Sequence, residues 1–186
     1  MILADRLSGY WGRQRPLPTV GATPIPLRII LGLRKARFQR IFVVTDRMTG
    51  QSAERALLRT RRLPDSVEWF EIGNGRPTLV DLVVRLAAAG VDKISFISGN
   101  GTYHPMLFQI LGKWNGEDAG LLLRTGQNPV GACVLNSASS HTFAASVHSD
   151  ASTTSQLEAW LLRGHGLTEV EVTDDRWQVV RTSSAF

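Results

Sequence analysis

The chain has 186 residues, 43% of them hydrophobic and 20% charged, which suits one well-buried globular domain and is short for two. Twenty-one Lys and Arg against 16 Asp and Glu leave a net charge of +5, favouring anionic partners, but the basic residues are not clustered densely enough for a nucleic-acid face. A lone cysteine, Cys133, excludes an internal disulfide and a thiolate metal site, and no apolar run approaches the ~20 residues a membrane helix needs.

In chain order, Met1–Ala4 is a short apolar strand with no basic region or cleavage site of a signal peptide, so a cytoplasmic location is expected. The stretch Gly9–Leu27 follows, with three glycines, two arginines and four prolines. Glycine lets main chain approach a phosphate, and guanidinium forks hold its oxygens. By itself the loop reads equally well as a phosphate cradle or as a plain Pro/Gly-rich turn region. No Gly-Lys-Ser/Thr closes it as in a P-loop.

Pro26–Ala36 predicts an amphipathic helix with Leu27, Ile30, Leu31 and Leu33 inward and Arg28, Arg34 and Lys35 outward. Arg40–Asp46 is a β-branched run expected to be a strand covered on both faces. Ser52–Arg62 reads as a helix whose basic end is solvated, and Ser66–Ile72 as a strand. Thr78–Ala89 is a helix capped by Thr78, with Asp81 in its first turn and Leu79, Leu82, Val83 and Leu86 inward. Lys93–Ser98 is a buried strand, Gly99–Pro105 an irregular loop and Pro105–Leu111 a helix. Further strands are expected at Ala119–Arg124 and Val130–Leu135, the latter burying Cys133. Helices follow at Ser137–Val147 and Ser155–Arg163, with closing edge strands at Leu167–Thr173 and Trp177–Arg181. This alternation predicts one α/β domain over residues 1–186, three-layered and Rossmann-related, with a mainly parallel sheet mixed at its edge.

Ligands of an open α/β sheet bind beyond the carboxyl ends of its strands. The segments falling there are residues 5–24, Asp46–Gly50, Ser98–His104 and Gly73–Thr78. The amides leading into the Thr78 helix suit an oxyanion, or Thr78 is simply a cap. His104 is a candidate acid/base group or metal ligand. His141, His148 and His165 lack ligand spacing, and neither a Gly-x-Ser-x-Gly elbow nor an HExxH motif occurs. Asp174-Asp175 suits a metal or, more commonly, a turn.

Arg15-Pro16-Leu17-Pro18-Thr19-Val20-Gly21-Ala22-Thr23-Pro24-Ile25 resembles the Lys-Pro-Leu-x-Pro-Val-Gly-Gly-x-Pro-Leu segment of the sugar-phosphate nucleotidyltransferases. These have a nucleotide-diphospho-sugar transferase-like (GT-A-like) fold. Phe42–Thr45 resembles the family's next strand, Gly75-Arg76-Pro77-Thr78-Leu79 its base-binding region, and Ile97-Ser98-Gly99-Asn100 its strand-end Gly-Asp, which holds magnesium. The order of Gly101–Pro105, Asn128–Ala132 and Trp177–Thr182 looks most like the cytidylyltransferase-like domains fused ahead of CDP-alcohol phosphatidyltransferases.

The resemblance implies a nucleotide, with CTP favoured, and a phosphorylated sugar or polyol, joined with magnesium as cofactor if the domain is catalytic. A fused or associated membrane phosphatidyltransferase would bring it to the inner face of a membrane. Gly9, Gly12 and Arg13 would hold phosphates beside Arg15, Gly75 and Thr78 would line base or ribose, and Asn100 and His104 would flank the reacting centre. Three departures stand out. Asn100 replaces the metal-binding aspartate, and an amide is a poorer magnesium ligand than a carboxylate. Val179 and Arg181 lie where a second aspartate is expected, and Arg15 fills the lysine position. The alternative is therefore a non-catalytic module that regulates or scaffolds a phospholipid-synthesis enzyme.

Overall fold

The computed structural model describes residues 1–3, 19–20, 23–46, 54–60, 62–72, 78–99, 101–147, 153–163, 165–173 and 177–179. In order these form β1 (Ile2–Leu3), β2 (Thr19–Val20), β3 (Thr23–Pro24), α1 (Ile25–Lys35), β4 (Ile41–Thr45), α2 (54–58), β5 (Val67–Glu71), α3 (Leu79–Ala88), β6 (Lys93–Ser98) and β7 (Gly101–Tyr103). There follow α4 (Pro105–Lys113), β8 (Gly120–Thr125), β9 (Asn128–Asn136), α5 (Ser137–Ala145), α6 (Thr153–Leu161), β10 (Thr168–Glu171) and β11 (Trp177–Val179).

Seven strands make the main sheet in the order β10-β8-β9-β6-β1-β4-β5. The β1–β4, β1–β6, β4–β5 and β8–β10 pairs are parallel, and only β9 runs against its neighbours. The reversed strand is thus inside the sheet, rather than at the edge. Its cause is local: Gly126-Gln127 joins β8 to β9 in two residues, with Gly126 at φ 56°, and so short a link closes only an antiparallel pair.

Helices cover both faces, giving three layers. Ile41 and Val43 of β4 pack with Ile30 and Leu33 of α1, Leu57 of α2 and Leu107 and Leu111 of α4. Phe42 and Val44 face the other core with Leu82 and Val83 of α3, Phe143 of α5 and Leu157 and Trp160 of α6. The alternation explains why β4 reads as an unbroken apolar run: all five residues are buried. At ~25 cal/mol per Å² of apolar surface, a fully buried side chain of this kind contributes roughly 1.5–3 kcal/mol.

Four expectations change. The inward stripe of α1 includes Ile25 and Ile29, while Leu31 is 38% exposed, because the sheet lies on the 25-29-33 face of the helix. Residues 101–103, expected as loop, form β7. Val179, expected in a closing edge strand of the sheet, pairs in β11 with β7 as a separate antiparallel ribbon. Within the Gly9–Leu27 stretch, β2 and β3 pair antiparallel. No helix among the described residues is long and apolar enough to cross a membrane.

Candidate functional site

From β1 the chain crosses through α1 to β4 on one side, and after β5 it returns through α3 to β6 on the other. The direction of winding reverses between β1 and β6, and beyond the carboxyl ends of such a strand pair a crevice opens. The segment after β1 begins at Ala4 and carries Gly9, Gly12, Arg13 and Arg15; the one after β6 is Gly99-Asn100.

Main-chain bonds knit this end together. The Gly99 N–H donates to the Leu3 carbonyl at 2.8 Å, joining the ends of β6 and β1. The hydroxyl of Thr154, in the first turn of α6, donates to the same carbonyl at 3.0 Å. Tyr103, buried, donates its hydroxyl to Ser98 O at 3.0 Å and lies 3.3 Å from Gly131 O. Burial pushes that phenol well above its ordinary range, so it stays a neutral donor. Space is tight: a Cβ on Gly101 would stand 2.5 Å from the Tyr103 oxygen, and one on Gly131, at φ 68°, would meet Ser98 Cβ at 3.0 Å. The Tyr103 clamp brackets Asn100 in sequence.

Of the residues singled out from sequence, Gly9, Gly12, Arg13, Arg15, Gly75 and Asn100 lie outside the described residues, as do Asp174, Asp175 and Arg181. Thr78 and His104 are described, and each starts a helix. Thr78 Oγ1 accepts from the Asp81 N–H at 3.3 Å while Asp81 Oδ2 accepts from the Thr78 N–H at 2.6 Å, a reciprocal capping box. His104 Nδ1 accepts from the Met106 N–H at 3.3 Å, capping α4 on an exposed ring.

Two features were not foreseen. Thr45, fully buried at the carboxyl end of β4, has a hydroxyl with no hydrogen-bond partner among the described residues, a rarity in a protein interior. Its only sequence signal is a polar residue ending an apolar run. The β7–β11 pairing sets Val179 opposite Gly101, one residue from Asn100. Sequence order alone cannot bring residues so far apart together.

Magnesium prefers carboxylate and water oxygens in an octahedron. Among the described residues no three His, Cys, Asp or Glu side chains come together, and the pairing at β7–β11 offers valine and glycine. Cys133, inside β9, is sealed in the core, and burial pushes its thiol up to about 12, so it is no nucleophile.

No family model and no curated protein matches the sequence. Solved structures match in fold. An inositol-1-phosphate CTP transferase from T. maritima superposes with a TM-score of 0.61 at 12% identity, covering 96% of this chain and 88% of that one. A nucleotidyl transferase from Methanothermobacter thermautotroptrophicus gives 0.62 at 17% identity, covering 93% and 88%. A cytidylyltransferase from Leptospira borgpetersenii gives 0.57 at 12%, covering 94% and 75%. At such identities the likeness establishes the fold alone: a three-layer α/β domain with a mostly parallel, mixed sheet.

Proposed function

We propose that this chain is a nucleotidyltransferase-like domain that binds a nucleoside triphosphate, CTP in preference, together with a phosphorylated sugar or polyol. The observation that carries the reading is the winding reversal between β1 and β6. The two segments leaving those strands are the ones whose Gly/Arg content and Gly-Asn pair resemble the family's phosphate and metal segments. Two of the fold neighbours are described as a CTP transferase acting on inositol 1-phosphate and a cytidylyltransferase. Those two neighbours motivate the choice of CTP, and the phospholipid-synthesis setting beside a phosphatidyltransferase is part of the same proposal.

In this reading Gly9, Gly12, Arg13 and Arg15 hold the triphosphate, and Gly75 and Thr78 line the base or ribose. Asn100 donates an amide hydrogen bond near the α-phosphate, and His104 lies beside the acceptor. If the domain turns over, an acceptor phosphate oxygen attacks the α-phosphorus, the bond to the β-phosphate oxygen breaks, and pyrophosphate leaves with its electron pair. Pyrophosphate release from CTP, magnesium and a panel of polyol phosphates tests this. Release with one acceptor supports catalysis, and Arg15→Gln should then raise the KM for CTP about tenfold, the value of one charged hydrogen bond.

A second reading, binding without turnover, is favoured by one observation: Val179 stands opposite Gly101, and Asn100 precedes it, where carboxylates would be needed. It expects calorimetric CTP binding that changes little between EDTA and magnesium, and no pyrophosphate from any acceptor. Magnesium-strengthened binding of tenfold or more would sink it.

A further inference from the structure

We propose that the amino pole of the sheet carries a second binding site, for a small anion with a flat apolar body such as an aromatic carboxylate or phosphate. A cavity of about 170 Å³ opens there between the ends of α1 and α4 and the start of β6. A cavity of ~150 Å³ takes a benzene ring, so this one has room for a ring, with an acid group left at its open rim. Its walls include Phe38, Leu111, Trp114 and Val134, with the buried Ser95 at the sheet side. The site is not the crevice described above. Ser95 precedes Ser98 by three residues and Lys93 begins β6, so the two ends of the strand stand ~17 Å apart.

Charge at the rim points to the class of ligand. Arg37 and Lys93 line the cavity, and among the described residues neither forms an ion pair, nor does the neighbouring Asp92 pair with them. Arg40 and Arg124, by contrast, are matched with Glu68 and Glu169. Lys93 lies over the Trp114 ring at 4.8 Å and reaches the Trp114 carbonyl at 3.4 Å, which leaves donors of its ammonium for another acceptor. Two helix carboxyl ends meet here and each brings about half a negative charge. Arg34 and Lys35 in the last turn of α1 and Lys113 in that of α4 outweigh them before Arg37 and Lys93 are counted.

Backbone conformation adds an independent observation. After α1, the Phe38 N–H donates to Leu33 O at 3.1 Å and the Arg37 N–H to Arg34 O at 3.0 Å, the paired bonds of a Schellman motif. Its left-handed position is glycine's, yet Arg37 occupies it at φ 66°, the one non-glycine residue at positive φ among those described. The strained position sets the Arg37 cation among the residues that line the cavity. Gly112 complements it, because a Cβ there would press on the Phe38 ring of the cavity wall at 3.3 Å.

The test is an NMR amide titration of the full chain with benzoate, phenyl phosphate and the neutral benzyl alcohol. The expected result is saturable shifts at Arg37, Phe38, Ser95 and Gly112 with at least one acid, and binding of benzyl alcohol at least tenfold weaker. The acid that binds more tightly identifies the head group. Arg37→Gly should weaken the acid about tenfold while the melting temperature holds or rises, since glycine relieves the strain. Lys93→Gln should weaken it similarly. Absence of saturable shifts with both acids, equal affinity for benzyl alcohol, or unchanged affinity in both variants would overturn the proposal.

Discussion

The hydroxyl of Tyr103 donates to the carbonyl of Ser98 at 3.0 Å, closing the β6–β7 turn from inside the core. The bond ties the last residue of a central strand to the strand that follows it in the chain, and the carbonyl of Gly131 in β9 is the hydroxyl's second acceptor. Tyr103→Phe keeps the ring that packs on Phe108 at a centroid distance of 5.8 Å and removes only the hydroxyl. The variant then loses the net contribution of that hydrogen bond, about 0.5–1.5 kcal/mol. Chemical denaturation should show that loss, and CTP affinity should fall as well if the turn positions Asn100. Wild-type stability in the variant would show that the hydroxyl is not needed to close the turn.

Gly131 can be replaced only at a double cost. Its φ of 68° strains any L side chain, and an added Cβ would sit 3.0 Å from Ser98 Cβ. Gly131→Ala is expected to lower stability by about 1–3 kcal/mol, read as a shifted denaturation midpoint with an unchanged slope. By contrast, Gly90 also has positive φ (78°) but nothing within 4 Å, so Gly90→Ala should cost about 1 kcal/mol, strain without a clash. The difference between the variants isolates the clash.

How much of this was legible beforehand follows from range of interaction. The capping of α3 by Thr78 and the burial of Cys133 are local and were read from a few residues. The faces of α1 were less legible, because Ile29 and Leu31 are alike in hydrophobicity and only the position of the sheet decides which goes inward. The ribbon joining Trp177–Val179 to Gly101–Tyr103 spans more than seventy residues of chain and has no local signature beyond two short polar-apolar runs. At the candidate site the Tyr103 hydroxyl bond was equally invisible. A tyrosine beside a histidine draws both toward the same reading, whereas burial gives the tyrosine to the scaffold and leaves the histidine exposed, with Nδ1 capping α4.

The capping box of α3 should make stability depend on pH. Thr78 holds Asp81 below its ordinary value of 3.8, first through the backbone N–H bond and then through its hydroxyl. A depressed carboxyl contributes stability that is present above the unfolded value, near pH 4, and is lost as pH falls through the lower folded value. Asp81→Asn should therefore be less stable than wild type at pH 7, with the gap narrowing below about pH 4. Thr78→Ala should cost about 1 kcal/mol at pH 7 through loss of the cap. A gap between Asp81→Asn and wild type that stays constant from pH 7 to pH 2 would argue against the linkage.

The thiol of Cys133 offers a direct probe of the core. It sits in β9 with neighbours Phe96 and Leu122 across the sheet, fully buried, and burial raises its ionisation to about 12. Since the thiolate is the reactive form, both access and ionisation block the folded protein from labelling. Dithionitrobenzoate should react with unfolded chain at once and with native chain only as fast as β9 is exposed by opening. The labelling rate should then follow global stability, rising about tenfold for each 1.4 kcal/mol lost in Tyr103→Phe or Gly131→Ala when opening is at equilibrium. Rapid labelling of native protein at neutral pH, independent of those substitutions, would mean that β9 opens without the rest of the sheet.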